Sequence, residues 1–316
     1  MLTVRGRYAP SPTGTTHLGN ASTALLAWLS ARAGGGAFVV RMEDLDRPRV
    51  VQGSAEGILH DVRWLGLDWD EGPDVSGPYS PYAQSERGSR YETAFAALRA
   101  AGLVYPCFCS RKDIQSAASA PQAPGDEALY PGNCRDLQPD DVASRIASRR
   151  PHAWRFRVEQ GNEPEFVDRV HGRYAAEPGS IGDFVVMRAD GVPAYQLAVV
   201  VDDIAMKITE VVRGEDLLSS SVRQLLLYRA FAADPPAFAH VPLILGDDGI
   251  RLSKRHHGVT LKEMRENGTA AEAIVGRLAH RHGLRKSPDP VSARDLIADF
   301  DLARLRDPGH SASSSS

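Results

Sequence analysis

The first 42 residues show two different spacings of apolar positions. Leu25, Trp28 and Leu29 recur at the i, i+3, i+4 spacing that predicts one face of a helix. The stretch LTVRGRY before them is typical of a short strand. AFVVRM, which follows the helix, is an apolar β-branched run of the kind buried in a parallel sheet. Strand, helix and strand in this order form a βαβ unit, whose right-handed crossover makes the strands parallel.

The rest of the chain alternates between further predicted elements. Helices are predicted over 54–65 and 88–101. The apolar run YQLAVVVDD, 195–203, predicts a second strongly buried strand, and ITEVVRGED, 208–216, predicts another. Between the two apolar ends of this sheet the composition changes, which indicates an insert over 105–190.

The fold class that follows is α/β: a Rossmann-like parallel sheet with an insert and a short C-terminal helical region. We assign the sheet, expected to be the catalytic domain, to 1–104 and 191–250, and the insert to 105–190. Residues 251–316 are expected to form a loop, a short helical region and a serine tail. Within the insert, 116–127 contain no large apolar side chain and are predicted to form a mobile loop.

Composition limits the classes of function. With 42% hydrophobic and 24% charged residues, the chain is typical of a soluble globular protein. We expect a cytoplasmic enzyme without membrane contact, because no stretch approaches the roughly 20 apolar residues of a membrane helix and the N-terminus lacks a signal peptide. The 37 basic and 40 acidic residues give a net charge of -3. Proteins that bind long nucleic acids through phosphate contacts are usually basic. Because this chain is not basic, we expect any nucleic-acid partner to be bound over a limited patch.

The stretch RYAPSPTGTTHLGN, residues 7–20, forms an irregular turn between the first strand and the first helix. Gly14 and Gly19 permit tight turns and close approach of the backbone to a ligand. His17 precedes a helix start predicted near Asn20, where free amides and the helix dipole favour a phosphate. The turn also lies at the carboxyl end of a parallel strand, where open α/β sheets bind ligands. The alternative is an N-capping turn with a surface histidine.

A second stretch, RLSKR at 251–255, places Lys254 on a serine-containing loop. Alone it is typical of a solvated basic surface. Together with HLGN, however, it resembles the KMSKS and HIGH signatures of the class I aminoacyl-tRNA synthetases. RYAPSPTG, RMEDLDRPR, AYQLAVVVDD and VVRGEDLL also resemble the glutamyl branch of that class, so the likeness covers about residues 5–260. It implies that His17 and Lys254 are catalytic, and that ATP is bound by His17, Gly19, Asn20 and Lys254.

Few residues follow Arg255, and several are a serine tail, so we expect no helical anticodon-binding region like that of the full-length enzymes. Val199 also stands where those enzymes typically carry asparagine. The chain therefore resembles the truncated paralogues of the branch, the glutamyl-Q tRNA(Asp) synthetases. This resemblance implies that L-glutamate is activated with ATP and Mg²⁺ as glutamyl-adenylate. Its glutamyl group would pass to the queuosine base in the tRNA(Asp) anticodon. A monomer is expected.

Glutamate carries two carboxylates and one ammonium, so its pocket needs at least one fixed cation and one fixed anion. Arginine suits carboxylates because its planar guanidinium can donate two parallel hydrogen bonds. Within the matched motifs the residues that could bind glutamate are Arg7, Ala9, Ser11, Glu43, Tyr195 and Arg213. Taken singly, an arginine or glutamate at a strand end can equally form a plain ion pair.

Three cysteines, Cys107, Cys109 and Cys134, are grouped in the insert. Zinc prefers four tetrahedral ligands, most often cysteine or histidine, but three cysteines could also be buried thiols. Their spacing resembles the C-x-C…Y-x-x-x-C zinc element found in some members of the glutamyl branch. This resemblance implies one structural Zn²⁺ per chain with Tyr130 as the fourth ligand, and His152 or a water is the alternative.

Two other functions remain to be weighed. The same two signatures could serve an adenylyltransferase that delivers an activated acid to a non-tRNA acceptor, since nothing in the sequence reads a nucleotide base directly. The chain could also be a non-catalytic zinc-bearing RNA-binding module. Intact His17, Lys254, Arg7 and Glu43 argue against that last function.

Overall fold

The structure, a computed structural model, describes residues 3–110, 112–114, 129–244 and 260–305. The helices are α1 (Leu18–Ala33), α2 (Ser54–Trp64), α3 (Gly88–Ala100), α4 (Pro139–Ala147), α5 (Tyr195–Ala205), α6 (Leu218–Ala230), α7 (Leu261–Glu266) and α8 (Ala271–Arg281). The strands are β1 (Arg5–Tyr8), β2 (Ala37–Val40), β3 (Val104–Cys107), β4 (Ala153–Phe156), β5 (Phe166–Asp168), β6 (Gly172–Tyr174), β7 (Phe184–Met187), β8 (Glu210–Gly214) and β9 (Ala237–Val241).

Two parallel strand pairs form the centre of the fold. β1 pairs with β2, and β8 pairs with β9, both in parallel. The two pairs lie side by side, because the Thr209 N–H donates to the Arg5 carbonyl at 3.0 Å. The Arg5 N–H donates in return to the Thr209 hydroxyl at 2.8 Å. The predicted α/β class, the βαβ unit at the N-terminus and the strand within 208–216 are confirmed.

The first helix begins earlier than the sequence analysis predicted. α1 starts at Leu18, not near Asn20, because His17 is its N-cap and accepts a hydrogen bond from the Asn20 N–H. The helix is rich in alanine and leucine, and most of its residues are buried between the sheet and the C-terminal helices. It ends at Gly34, whose N–H donates to the Ser30 carbonyl. The histidine turn therefore leads directly into the first helical turn.

The prediction of a strand over 195–203 is wrong, because this segment is helix α5. Leu197 and the residues up to Asp203 are all buried, so no polar face interrupts the apolar run. A short helix that is buried on every side cannot be distinguished from a buried strand by periodicity alone. Val199, where the full-length enzymes typically carry asparagine, is 1% exposed and lies in the core.

The insert contains an antiparallel sheet with strand order β3-β4-β7, and β5 and β6 form a separate antiparallel pair. The loop predicted over 116–127 lies outside the described residues. α7 and α8 pack on the same core as α1, through Leu261, Ile274 and Leu278. Among the residues that the structure describes, no helix has the length and apolar character needed to cross a membrane.

Candidate active site

A cavity of about 1000 Å³ opens at the carboxyl ends of β1 and β8. We call it the central cavity. Its lining includes every described residue that the sequence analysis assigned to glutamate or ATP: Arg7, Ala9, Ser11, His17, Gly19, Asn20, Glu43, Tyr195 and Arg213. Lys254 lies outside the described residues. Residues from four segments, 7–20 and the regions around Glu43, Tyr195 and Arg213, therefore meet at one place.

The histidine turn is fixed at one wall of the central cavity. Gly14 has a φ of 136°, a conformation that favours glycine, and its amide and carbonyl both bond to the Ser54 hydroxyl, at 3.0 and 2.5 Å. The Asn20 N–H donates to His17 Nδ1 at 3.4 Å. The capping alternative and the site interpretation are thus compatible, since His17 caps α1 and also lines the cavity.

Both described flanks of the segment that carries Lys254 lie at this cavity. Ile244, the last residue before the segment, lines it. Thr260, the first residue after the segment, forms an antiparallel bridge with His17. The Leu261 N–H donates to the Thr16 carbonyl at 2.9 Å beside that bridge. Lys254 is six residues before Thr260 in the sequence. An extended chain of that length spans at most roughly 20 Å, which is the largest distance that the chain allows between the two residues.

Arg213 lies in β8 at the base of the cavity and is 4% exposed. Its Nε–H donates to His240 Nε2 at 3.0 Å, and Nη2 donates to the Ser221 hydroxyl at 2.8 Å. Nη1 is buried and makes no hydrogen bond with the described residues. Burial lowers the pKa of this guanidinium, against the opposing influence of Tyr195. A buried N–H donor without a partner is costly, so this nitrogen is suited to a ligand oxygen.

Arg7 and Glu43 provide charge of both signs near Arg213. Arg7 is 4% exposed, its Nε lies 3.7 Å from an Asp203 oxygen, and that Nε makes no hydrogen bond with the described residues. Glu43 accepts a hydrogen bond from Arg41 Nη2 at 3.1 Å. Burial raises the pKa of Glu43, although Arg41 and Arg7 favour its charged form. The cavity thus offers the fixed cations and the anion that glutamate requires.

A buried charge network lies beneath the cavity. Arg41 Nη1 donates to Asp203 at 2.6 Å, and Arg87 Nε donates to Asp202 at 2.5 Å. Asp202 also accepts a hydrogen bond from the Tyr91 hydroxyl at 2.8 Å. The sequence analysis missed this network. The adjacent Asp-Asp pair at the end of an apolar run was the available signal, because buried carboxylates need partners.

The predicted metal ligands also lie together. The sulfurs of Cys107, Cys109 and Cys134 are within 4.8 Å of one another. The Tyr130 hydroxyl is 3.3 Å from Cys107 Sγ and 3.7 Å from Cys109 Sγ. We call these four side chains the thiol cluster. In contrast, His152 Nδ1 lies 3.1 Å from the Arg150 carbonyl, and His152 is not part of the metal-capable group found among the described residues.

One sulfur–sulfur distance in the thiol cluster matches that expected for a tetrahedral zinc site. Four tetrahedral ligands at about 2.3 Å place their sulfurs about 3.8 Å apart, and Cys109 Sγ is 3.6 Å from Cys134 Sγ. Burial raises the pKa of the Cys109 thiol to about 11. Burial also opposes ionisation of Cys134, but hydrogen bonds from the Phe108 N–H, from Tyr130 and from the two other thiols together outweigh it, and the pKa of Cys134 is lowered. Three thiols that face one another at these distances are better suited to binding a soft divalent cation than to packing as buried thiols.

The sequence signature of the tRNA synthetases class I (E and Q), catalytic domain, matches residues 3–311. The chain belongs to this family of class I tRNA synthetases. The match includes the central cavity and the thiol cluster, so both features lie inside the synthetase catalytic domain.

Two relatives of this class I synthetase carry the name Glutamyl-Q tRNA(Asp) synthetase. The relative from Symbiobacterium thermophilum is 53% identical over 301 residues, which are 95% of this chain and 93% of the relative. The relative from Nocardia farcinica is 50% identical over 300 residues, 95% of this chain and 90% of the relative. A glutamate tRNA ligase from Elizabethkingia meningosepticum, solved in complex with its amino acid, matches with a TM-score of 0.84 and 33% identity. That match covers 96% of this chain and 66% of the ligase.

Proposed function

We propose that this synthetase activates L-glutamate with ATP and transfers the glutamyl group to the queuosine base in the anticodon of tRNA(Asp). The observation that carries the proposal is the central cavity. It joins two buried arginines, a partly buried glutamate and the first turn of α1 at the carboxyl end of a parallel sheet. The names of the two relatives support the same choice of amino acid and acceptor.

Glutamate binding follows from the charges in the cavity. Arg7 and Arg213 bind the two carboxylates, because each has a buried nitrogen that makes no hydrogen bond with the described residues. The carboxylate of Glu43 accepts hydrogen bonds from the ammonium of glutamate. The Tyr195 hydroxyl, on a residue that is 39% exposed, donates from the rim. The Ser11 hydroxyl and the Ala9 backbone complete the polar wall.

Activation is an attack of the glutamate α-carboxylate on the α-phosphorus of ATP. A new bond forms between the carboxylate oxygen and phosphorus, the bond to the bridging oxygen breaks, and pyrophosphate leaves. No general base is needed, because the carboxylate is already ionised. His17 and the first turn of α1 at Gly19 and Asn20 line the part of the cavity assigned to the phosphates. Lys254, which lies outside the described residues, is assigned the second cation because RLSKR resembles KMSKS. These groups stabilise the charge that develops on the phosphoryl oxygens.

Transfer then releases AMP. A hydroxyl oxygen of the queuosine cyclopentene ring attacks the carbonyl carbon of glutamyl-adenylate, the hydroxyl proton is lost, and the bond to the AMP phosphate breaks. When bound with ATP, Mg²⁺ neutralises charge on the pyrophosphate.

We also propose that the thiol cluster holds one structural Zn²⁺ through the three cysteines and Tyr130. Four protein ligands leave no open position, which is typical of a structural site. The ion would fix the segment around Tyr130 and Cys134 to the end of β3, because the ligands come from both.

Two measurements test the proposed function. Glutamate-dependent exchange of labelled pyrophosphate into ATP is expected in the absence of tRNA, and absence of exchange would favour a non-catalytic module. Labelled glutamate is then expected on tRNA(Asp) that carries queuosine and not on the same tRNA without it. Label on tRNA(Glu) would indicate an ordinary glutamyl-tRNA synthetase. Exchange without label on either tRNA would point to a non-tRNA acceptor.

A further inference from the structure

We propose that His240 is a positioning residue for substrate recognition: its neutral imidazole fixes the guanidinium of Arg213 so that Nη1 faces the substrate carboxylate. The inference rests on the proposed function, because it assumes that Arg213 binds a carboxylate of glutamate.

His240 lies on β9 directly across from Arg213 on β8 and is fully buried. Its Nδ1 is 2.6 Å from an Asp168 oxygen, and its Nε2 is 3.0 Å from Arg213 Nε. A guanidinium nitrogen can only donate, so Nε2 must accept, and the proton of the neutral ring is on Nδ1. The hydrogen bonds of the imidazole thus define a single tautomer.

Asp168 holds that tautomer in place from the end of β5. It also accepts hydrogen bonds from the backbone N–H groups of Val170 at 2.9 Å, His171 at 3.0 Å and His240 itself. Burial and these hydrogen bonds act against each other, and the pKa of Asp168 is lowered. The carboxylate is therefore charged and fixed by backbone groups. It links a strand of the insert to the floor of the central cavity.

Because His240 is neutral, it affects the charge of Arg213 differently from an acidic partner. Burial lowers the pKa of His240, so the ring accepts a hydrogen bond from Arg213 without cancelling its positive charge. Ser221, which accepts from Nη2 at 2.8 Å, is neutral as well. The guanidinium is thus held at Nε and Nη2, while Nη1 and the full charge stay available to the substrate. A carboxylate in place of His240 would form an ion pair with Arg213 and compete with glutamate.

The test separates the two ring nitrogens. His240→Asn can still donate to Asp168 but is too short to accept from Arg213, so the KM for glutamate in pyrophosphate exchange is expected to rise at least 10-fold. The KM for ATP should stay within about 2-fold. His240→Gln places a carbonyl oxygen near the position of Nε2 and is expected to keep the KM for glutamate within about 3-fold. The matched control is His282→Asn, which replaces a buried histidine bonded to Ser22, and both KM values should be unchanged.

Equal increases in the KM for glutamate in the Asn and Gln variants would overturn the positioning role, as would a parallel rise in the KM for ATP. A measurement on the wild-type protein covers the case in which the variants do not fold. The long-range ¹H–¹⁵N spectrum of the histidine rings at pH 7 should show a neutral Nδ1–H tautomer for His240, and an imidazolium would contradict the proposal. Exchange by the wild-type protein is measured first. Its absence would refute the proposed function and leave the tautomer result unaffected.

Discussion

Three buried arginines of this synthetase, Arg41, Arg87 and Arg213, fall into two groups that differ in their partners. Arg41 and Arg87 are fully buried and face the carboxylates of Asp202 and Asp203. Arg213 is almost as buried, yet its hydrogen-bond partners are a neutral histidine, a serine hydroxyl and a backbone carbonyl. Within the described part of the chain, Arg213 forms no ion pair. The carboxylates of Asp202 and Asp203 thus neutralise Arg41 and Arg87, whereas no described carboxylate forms an ion pair with Arg213.

We expect this difference to separate a structural role for Arg41 and Arg87 from a binding role for Arg213. Burying an unpaired charge costs several kcal/mol, so a fold retains one only where something else supplies the counter-charge. Arg41 and Arg87 complete the core that supports the cavity floor. We expect Arg213 to receive its counter-charge from an anionic substrate in the central cavity. The predictions below test this distinction, using the same substitution in each group.

The largest effect is expected for Arg213→Met, which removes one of the two arginine cations of the cavity and keeps much of the aliphatic volume. We expect kcat/KM for glutamate to fall on the order of 10³-fold, because a charge-assisted interaction with the substrate is lost. The thermal midpoint should be unchanged or slightly raised, because an uncompensated buried charge is removed. Pyrophosphate exchange and differential scanning calorimetry measure the two quantities. A large loss of stability would place Arg213 in the structural group.

The same change at Arg87 should give the opposite result. Arg87→Met leaves Asp202 with fewer partners inside the core, which costs about 3–5 kcal/mol of unfolding free energy. Urea denaturation measures this loss. The protein that remains folded should keep the KM for glutamate of the wild type, because Arg87 is not part of the cavity lining. A raised KM for glutamate would show that the two groups are not independent.

The contrast between the two groups could not be predicted from the sequence, although each arginine is visible there. The motifs correctly grouped Arg7, Glu43 and Arg213 at one cavity, because the carboxyl ends of parallel strands meet at one edge. The pairing of Arg41 and Arg87 depends on α5 being a helix, which places Asp202 and Asp203 under the cavity. Read as a strand, the same segment would send these two carboxylates to opposite faces.

His240 was missed for a related reason. It lies in AFAHVPLIL, an apolar run that predicts a strand but gives no sign of the partner across it. The partner is Asp168, 72 residues away in the insert. Contacts between distant segments follow from tertiary packing, and no local pattern encodes them. The thiol cluster was easier to predict, because the short Cys-x-Cys spacing brings two of its ligands together locally.

The thiol cluster extends the comparison to side chains that suit a cation rather than an anion. If the three thiols and Tyr130 hold Zn²⁺, metal analysis of the purified protein should give about one zinc per chain, and Cys134→Ser should lower that content to near zero. Loss of the ion is expected to lower the thermal midpoint of unfolding, by roughly 2–4 °C for each kcal/mol of binding free energy that is lost. Val167→Ser, at an exposed position on β5, is the control and should retain the metal. Wild-type protein without zinc would indicate that the cluster is a set of buried thiols.

The smallest effect is expected for the pH dependence of stability that His282 causes. Like Arg213, this buried side chain has a neutral hydrogen-bond partner. His282 is 8% exposed, and its Nε2 lies 2.6 Å from the Ser22 hydroxyl, where it joins α8 to α1. Burial, with a smaller contribution from Arg281, lowers the pKa of His282 to about 4. In the unfolded chain the pKa is about 6.5, so below that pH the unfolded state binds a proton that the folded state rejects. Stability is therefore lost as the pH falls from 6.5 towards 4, by about 2 kcal/mol between pH 7 and pH 5.

His282→Gln cannot titrate, so its unfolding free energy should fall less over the same interval, whatever its value at pH 7. Equal pH dependence in the two proteins would mean that His282 is protonated inside the fold, and that Ser22 is not its only compensation.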